Sequence, residues 1–220
     1  MDDSTLKKAV PDRRPPRARH FSMLRDFHLA DFLTLGNAAC GLAAVLLAMR
    51  FMQSGALADF LLAAAMAPAA LAFDVADGRV ARWRQQHSAL GRELDSLADI
   101  VSFGVAPAAL AFAAGIDGGW DVMALLYFVC CGVSRLARYN VSAEQLSAGQ
   151  DKVAYFEGTP IPTTVLLTGL MALAAWQQRI GAALPGGAWA IGAWELHPVA
   201  LLFVLSGTLM ISKTLRIPKL

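Results

Sequence analysis

Four aspartates, Asp74, Asp77, Asp95 and Asp99, stand inside a strongly apolar chain. They belong to two short runs, Asp74-Val75-Ala76-Asp77-Gly78-Arg79-Val80-Ala81-Arg82 and Gly91-Arg92-Glu93-Leu94-Asp95-Ser96-Leu97-Ala98-Asp99. Asp74 and Asp77 are three apart and Asp95 and Asp99 are four apart, so on helices each pair shares a face. A charged side chain at the centre of a bilayer costs about 3 kcal/mol on insertion scales. A lipid-facing group of four is therefore excluded, and the cluster needs cations and an aqueous or substrate-filled cavity. Carboxylate oxygens suit hard divalent ions, Mg²⁺ or Mn²⁺. Two such ions roughly 4 Å apart can clamp a diphosphate and stabilise phosphoryl transfer. The competing reading is a set of intramembrane ion pairs with Arg79, Arg82 and Arg92. It leaves unexplained why Gly78, Ala81 and Gly91 lie on or beside the acidic faces, where small side chains let a flat group such as a nucleobase approach the backbone.

The elements that must position these acids follow from composition. Of 220 residues, 56% are hydrophobic and 16% are charged, well below the roughly 25% charge of soluble domains. Several apolar stretches approach the ~20 residues that span a bilayer. The expected fold is an all-α bundle of six transmembrane helices, at about 31–51, 57–83, 89–114, 120–139, 160–179 and 196–213. Residues 184–195 read as an interfacial loop. Residues 1–19 read as a disordered basic tail, and 20–220 as one membrane domain. Phe21, Leu24, Phe27 and Leu29 near helical spacing, with Arg25, Asp26 and His28 between them, read as a short juxtamembrane amphipathic helix. The link Gln85-Gln86-His87-Ser88 makes the second and third helices antiparallel neighbours, with Ser88 as N-cap. Both acidic pairs then lie near the same side of the membrane, where the four carboxylates can converge. Cys40, Cys130 and Cys131 have neither metal nor disulfide spacing.

This chemistry resembles that of a known family. The pattern Asp-x2-Asp-Gly-x2-Ala-Arg-x8-Gly-x3-Asp-x3-Asp is the signature of the CDP-alcohol phosphatidyltransferases, and every fixed position is met between Asp74 and Asp99. The resemblance implies a six-helix membrane enzyme, usually a homodimer, that transfers a phosphatidyl group from CDP-diacylglycerol to an alcohol and releases CMP. It implies that Asp74, Asp77 and Asp95 ligate metal. Asp99 would ligate the second ion or act as general base on the attacking hydroxyl. Asp74, Asp77, Gly78, Ala81, Arg82 and Gly91 would form the nucleotide site. No nucleic-acid partner is expected.

Three further segments bear on the acceptor alcohol. They are Leu33–Gly41, Asp99–Pro107, and Ser134–Asn140 together with Phe156–Pro162. Together they resemble the branch of the family whose acceptor is serine. Ala30-Asp31 and Thr159 depart from that branch's pattern. A serine carboxylate needs a cation, for which bidentate arginine is the natural choice. Arg135 and Arg138, three apart at a helix end, are candidates for it or for the lipid diphosphate, and Glu157 is a candidate for the ammonium. Choline, glycerol phosphate and inositol phosphate are the rival acceptors. A cation transporter is the rival from another class, and it accounts for the acids but not for the small residues beside them.

Orientation comes from the basic residues. Lys7, Lys8, Arg13, Arg14, Arg17, Arg19, Arg25, Arg79, Arg82, Arg84, Arg92, Arg135, Arg138, Lys152, Lys213, Arg216 and Lys219 fall on one side of the six-span arrangement. They are 17 of the 19, and only Arg50 and Arg179 fall on the other. The positive-inside bias places both termini and the aspartates in the cytoplasm of a bacterial-type inner membrane. A reporter fused to the C-terminus is accordingly expected to be active only in its cytoplasm-dependent form. Activity confined to the outer side would reverse the topology.

Overall fold

A computed structural model of the chain describes residues 29–84, 89–147, 155–212 and 216–218. The tail, most of the expected juxtamembrane helix, and the 85–88 link with Ser88 lie outside the described residues. The fold is mostly helical. Helix α1 spans Leu29–Ser54 and α2 spans Leu57–Arg84. Helix α3 spans Ala89–Asp99, passes into a π-helical turn at Ile100–Val105, and continues as α4, Ala106–Ala113. Helix α5 spans Gly119–Ser147. A 3₁₀ turn at Ile161–Thr164 leads into α6, Val165–Trp176, and α7 spans Ala200–Ile211.

Four of these stretches are long and apolar enough to cross a membrane: Ala30–Ser54, Leu57–Val80, Leu90–Ala113 and Gly119–Val141. The expected fifth and sixth spans are shorter apolar helices, Ile161–Trp176 and Ala200–Ile211. Helix α5 runs further than the expected 120–139. The added stretch includes the good helix formers Ala143, Glu144, Gln145 and Leu146 and contains no glycine or proline to stop it. The expectation of an all-helical chain also needs a correction. Tyr155–Glu157 (β1) pairs antiparallel with Arg216–Pro218 (β4), with Phe156 opposite Ile217. Within the expected interfacial loop, Trp189–Ile191 (β2) and Trp194–Leu196 (β3) form a hairpin, closed through Gly192 at φ +65°. Such short pairs carry too few residues for a period-two signal.

Large apolar side chains cover the outside of the helices: Phe32, Leu35, Leu42, Leu46 and Met49 on α1, Leu62 on α2, Leu126 and Val133 on α5. Helices apolar all round belong in lipid. Inside, Phe60, Phe103, Leu110, Phe128, Met171 and Phe203 form the core, and Phe128 and Phe203 meet edge to face across α5 and α7 with ring centroids 5.3 Å apart.

Helix α1 packs along α2, α3, the π turn and α4. The π turn changes the hydrogen-bond ladder and frees backbone groups that need partners at membrane depth. Thr164 supplies one by donating its hydroxyl to the Phe103 carbonyl at 2.7 Å. In the other direction Ser102 donates to the Asn37 carbonyl of α1 at 2.8 Å. Gly41 makes this crossing possible, because a Cβ there would lie 2.7 Å from the Ser102 Cα and 2.9 Å from its nitrogen. Gly41→Val should therefore force α1 off the π turn and destabilise the protein by about 1–3 kcal/mol, the usual cost of overpacking. The check is thermal unfolding in detergent, and an unchanged midpoint would show that the contact yields.

Candidate active site

Helix α2 delivers Asp74 and Asp77 near its C-terminal end and α3 delivers Asp95 and Asp99, so antiparallel packing brings the pairs to one end of the bundle. One carboxylate oxygen from each of Asp74, Asp95 and Asp99 lies within 4.8 Å of the others. Asp77 is not part of this trio. Its Oδ2 accepts a hydrogen bond from the Thr34 hydroxyl at 2.8 Å, and Asp77 is buried. Asp99, also buried, has Oδ1 accepting from Asn37 Nδ2 at 3.0 Å. The four acids thus lie within electrostatic range of one another, three with oxygens close enough to share an ion and Asp77 beside them, bonded to α1.

The chemistry of the donor set fits a divalent ion. Three carboxylates that approach this closely repel one another unless a cation or protons separate them. Among the described residues no lysine or arginine forms an ion pair with any of the three. Asp95 Oδ1 is buried without a hydrogen-bond partner, an expensive condition for a carboxylate oxygen unless something binds it.

Helix α1 contributes residues that the sequence reading did not assign. Thr34 and Asn37 are three apart, so one face of α1 addresses both acidic helices. The available signal was two polar side chains on one face of an apolar span. Asn37 is fully buried, and its own Oδ1 has no partner. Asp31 in the first turn of α1 is buried as well, within electrostatic range of Asp77. It adds a fifth acidic group to this end of the bundle.

The remaining candidates separate. Gly78 and Gly91 are half-buried on the two acidic helices. The side chains of Ala81, Arg82 and Glu157 lie outside the described ones; their backbones belong to α2 and β1. Arg135 on α5 lies within electrostatic range of Asp99, and its Nε is buried without a hydrogen-bond partner. Arg138, one turn on, reaches the Ile211 carbonyl at the end of α7 at 3.5 Å, a long contact. Asn140 ties α5 to α3, with Nδ2 at 3.0 Å from Ser96 Oγ and 3.3 Å from both Glu93 carboxylate oxygens. This second unassigned group locks the helix that carries Asp95 and Asp99 against the helix that carries Arg135.

An acidic trio supported by polar side chains of an otherwise apolar helix, at one end of a membrane bundle, defines a class. The chain belongs to the CDP-alcohol phosphatidyltransferase family, whose profile matches residues 27–205. It is 45% identical over 205 residues to the CDP-diacylglycerol–serine O-phosphatidyltransferase of Saccharomyces cerevisiae, covering 91% of this chain and 74% of that protein. It is 34% identical over 170 residues to the protein of the same name from Mycobacterium tuberculosis, covering 76% of this chain and 55% of the relative. An archaetidylserine synthase of Methanothermobacter thermautotrophicus is 34% identical over 158 residues, 70% of this chain and 62% of the relative. The chain thus spans most of the yeast relative and little more than half of the mycobacterial one.

Asn37→Ala removes the donor to Asp99 and leaves all three carboxylates of the trio in place. By analogy with partners that orient metal ligands, activity or metal affinity should fall on the order of 10–100-fold. Turnover of the folded variant at increasing divalent-ion concentration measures it, and wild-type kinetics would show that Asp99 needs no support from α1.

Proposed function

We propose that this chain transfers the phosphatidyl group of CDP-diacylglycerol to L-serine, giving phosphatidylserine and CMP. The observation that carries the reading is the Asp74–Asp95–Asp99 trio, set within the complete family signature and flanked by Arg135. The names of the yeast, mycobacterial and archaeal relatives support serine as the acceptor.

In the reaction the serine hydroxyl oxygen attacks the phosphorus that bears the diacylglycerol. A new P–O bond forms, the bond to the bridging oxygen breaks, and CMP leaves with that oxygen. Asp74, Asp95 and Asp99 would hold Mg²⁺ or Mn²⁺, together with Asp77. Bound ions would supply charge neutralisation for the diphosphate and the departing CMP. Serine's hydroxyl is a weak nucleophile at neutral pH, so a base within hydrogen-bond reach helps. Asp99 fills that role or ligates the second ion. Asn37 fixes one of its oxygens and thereby the direction of the other. Gly78, Ala81, Arg82 and Gly91 form the nucleotide face.

Arg135 is the better receiver for the serine carboxylate, because its Nε has no protein partner whereas Arg138 reaches the end of α7. Glu157, on β1, is the candidate for the serine ammonium. The two shorter helices, α6 and α7, would complete a six-helix bundle. Both termini and the site would face the cytoplasm of a bacterial-type inner membrane, and a homodimer is the expected assembly.

The test offers CDP-diacylglycerol to the purified protein with labelled serine, choline, glycerol phosphate or inositol phosphate. Serine alone should give labelled lipid and stoichiometric CMP. Asp74→Asn, Asp77→Asn and Asp95→Asn should each abolish turnover in a folded protein, and EDTA should do the same reversibly. Transfer to choline but not serine would overturn the acceptor and leave the chemistry standing, whereas full activity in EDTA would overturn the metal reading. Arg135→Lys keeps the charge but loses the planar fork. It should raise the KM for serine strongly and that for the donor little.

A further inference from the structure

The end of the bundle opposite the carboxylates carries a second concentration of polar and aromatic groups, which the proposed reaction does not use. Asp121, in the first turn of α5, is fully buried. Its Oδ1 accepts from the His197 backbone N–H at 2.7 Å, and its Oδ2 accepts from His197 Nδ1 at 2.6 Å and from the Gly118 N–H at 3.0 Å. His197 stands between β3 and α7, so this clasp ties the hairpin and the start of α7 to the start of α5. Trp120 reinforces it. Its indole N–H donates to the Ile191 carbonyl at 3.0 Å, and its ring meets Trp194 edge to face at 5.2 Å. The chain is cut to fit at Gly119, where a Cβ would lie 2.5 Å from the Trp194 ring.

What the clasp holds is apolar and uncovered. Trp120, Trp189, Ile191 and Trp194 are each between 42% and 53% exposed. Residues 180–212 include one formally charged side chain, Glu195, which is exposed beside them. A lone two-stranded hairpin is marginal in water, and one presenting tryptophans would be a liability there. Tryptophan is instead at home at the headgroup level of a bilayer, ring in the acyl boundary and polar edge outward. Length points the same way. Helix α7 has 12 residues, roughly 18 Å at 1.5 Å per residue, against a hydrocarbon core of about 30 Å. The segments flanking α7 must therefore make up the rest of the depth, and the one preceding it is the hairpin with His197.

We propose that the β2–β3 hairpin and Trp120 form an aromatic platform seated in the lipid headgroup zone at the end of the bundle opposite the aspartates, and that the Asp121–His197 clasp holds it there. The occupant of this surface is phospholipid. A second copy of the chain and bulk water are the alternatives that the test separates.

The protein with Trp83→Phe and Trp176→Phe keeps Trp120, Trp189 and Trp194 as its only tryptophans. It is reconstituted in phosphatidylcholine vesicles doped with phosphatidylcholines brominated at shallow or deep acyl positions, and iodide on both faces probes water access. The expected result is loss of emission that is largest with the shallow bromines and small with iodide. Strong iodide quenching without bromine quenching would make the hairpin an aqueous loop and overturn the proposal. Protection from both quenchers would place protein over the platform and overturn it equally. In the same background, His197→Ala should gain iodide access and lose bromine quenching. His197→Asn, which keeps a side-chain N–H donor, should retain the parent profile. An unchanged profile in His197→Ala would remove the clasp from the proposal.

Discussion

Everything at the catalytic end depends on holding several carboxylates together at the edge of a hydrocarbon layer. Among the described residues no lysine or arginine forms an ion pair with the trio, and Arg135 acts on Asp99 only at longer electrostatic range. The protein instead surrounds the acids with neutral donors. Thr34 holds Asp77 and Asn37 holds Asp99, both from α1. Neutral donors stabilise a carboxylate without cancelling its charge, and so leave the site able to attract cations. A ring of arginines would occupy the oxygens and leave a poorer ligand set.

That arrangement explains the irregular third span. If α1 is to reach both acidic helices, its backbone must run close to α3 and α4. Gly41 removes the side chain that would prevent this, and the π turn places Ser102 at the crossing. The turn disturbs the backbone ladder just after Asp99. The disturbance is made good locally, by Thr164 on the Phe103 carbonyl, at the start of α6. The prolines at positions 160 and 162 set that start. A chain of dependence therefore runs from the acids through α1 and the π turn to the beginning of α6. On the other flank, Asn140 joins α3 to α5 and sets the distance between the acids and Arg135.

The chain's chemistry is easier to read in one dimension than its supports are. Asp74 to Asp99 declare themselves because acids are costly in apolar surroundings and their spacing maps onto helix faces. Thr34, Ser102 and Asn140 do not, since isolated polar residues in a span serve helix contacts as often as sites. The division of the acids into three and one depends on χ angles and on which helix stands opposite, and spacing contains neither. The π turn has no residue code at all. The β pairs escape because three-residue strands are held by their surroundings: β2–β3 is secured by Trp120, Asp121 and His197, which are remote in sequence. Hydropathy marks α6 and α7 as apolar, yet whether 12 residues cross a bilayer depends on what stands at their ends.

The two ends of the bundle solve the same problem differently. At the catalytic end buried carboxylates share their oxygens between neutral donors and open positions, and Asp95 Oδ1 and Asn37 Oδ1 are left without partners. At the far end a single buried carboxylate has both oxygens engaged, with the Gly118 backbone N–H and the backbone N–H and Nδ1 of His197 arranged around Asp121. Such satisfaction makes a joint, because both oxygens are held by groups of the protein itself and three of about four lone-pair positions are taken. Incomplete satisfaction makes a site, because the cost of the orphaned oxygens falls only when a ligand arrives. One residue type thus serves as a fastener and as a reactive group within the same membrane fold, and the number of donors pointed at it decides which.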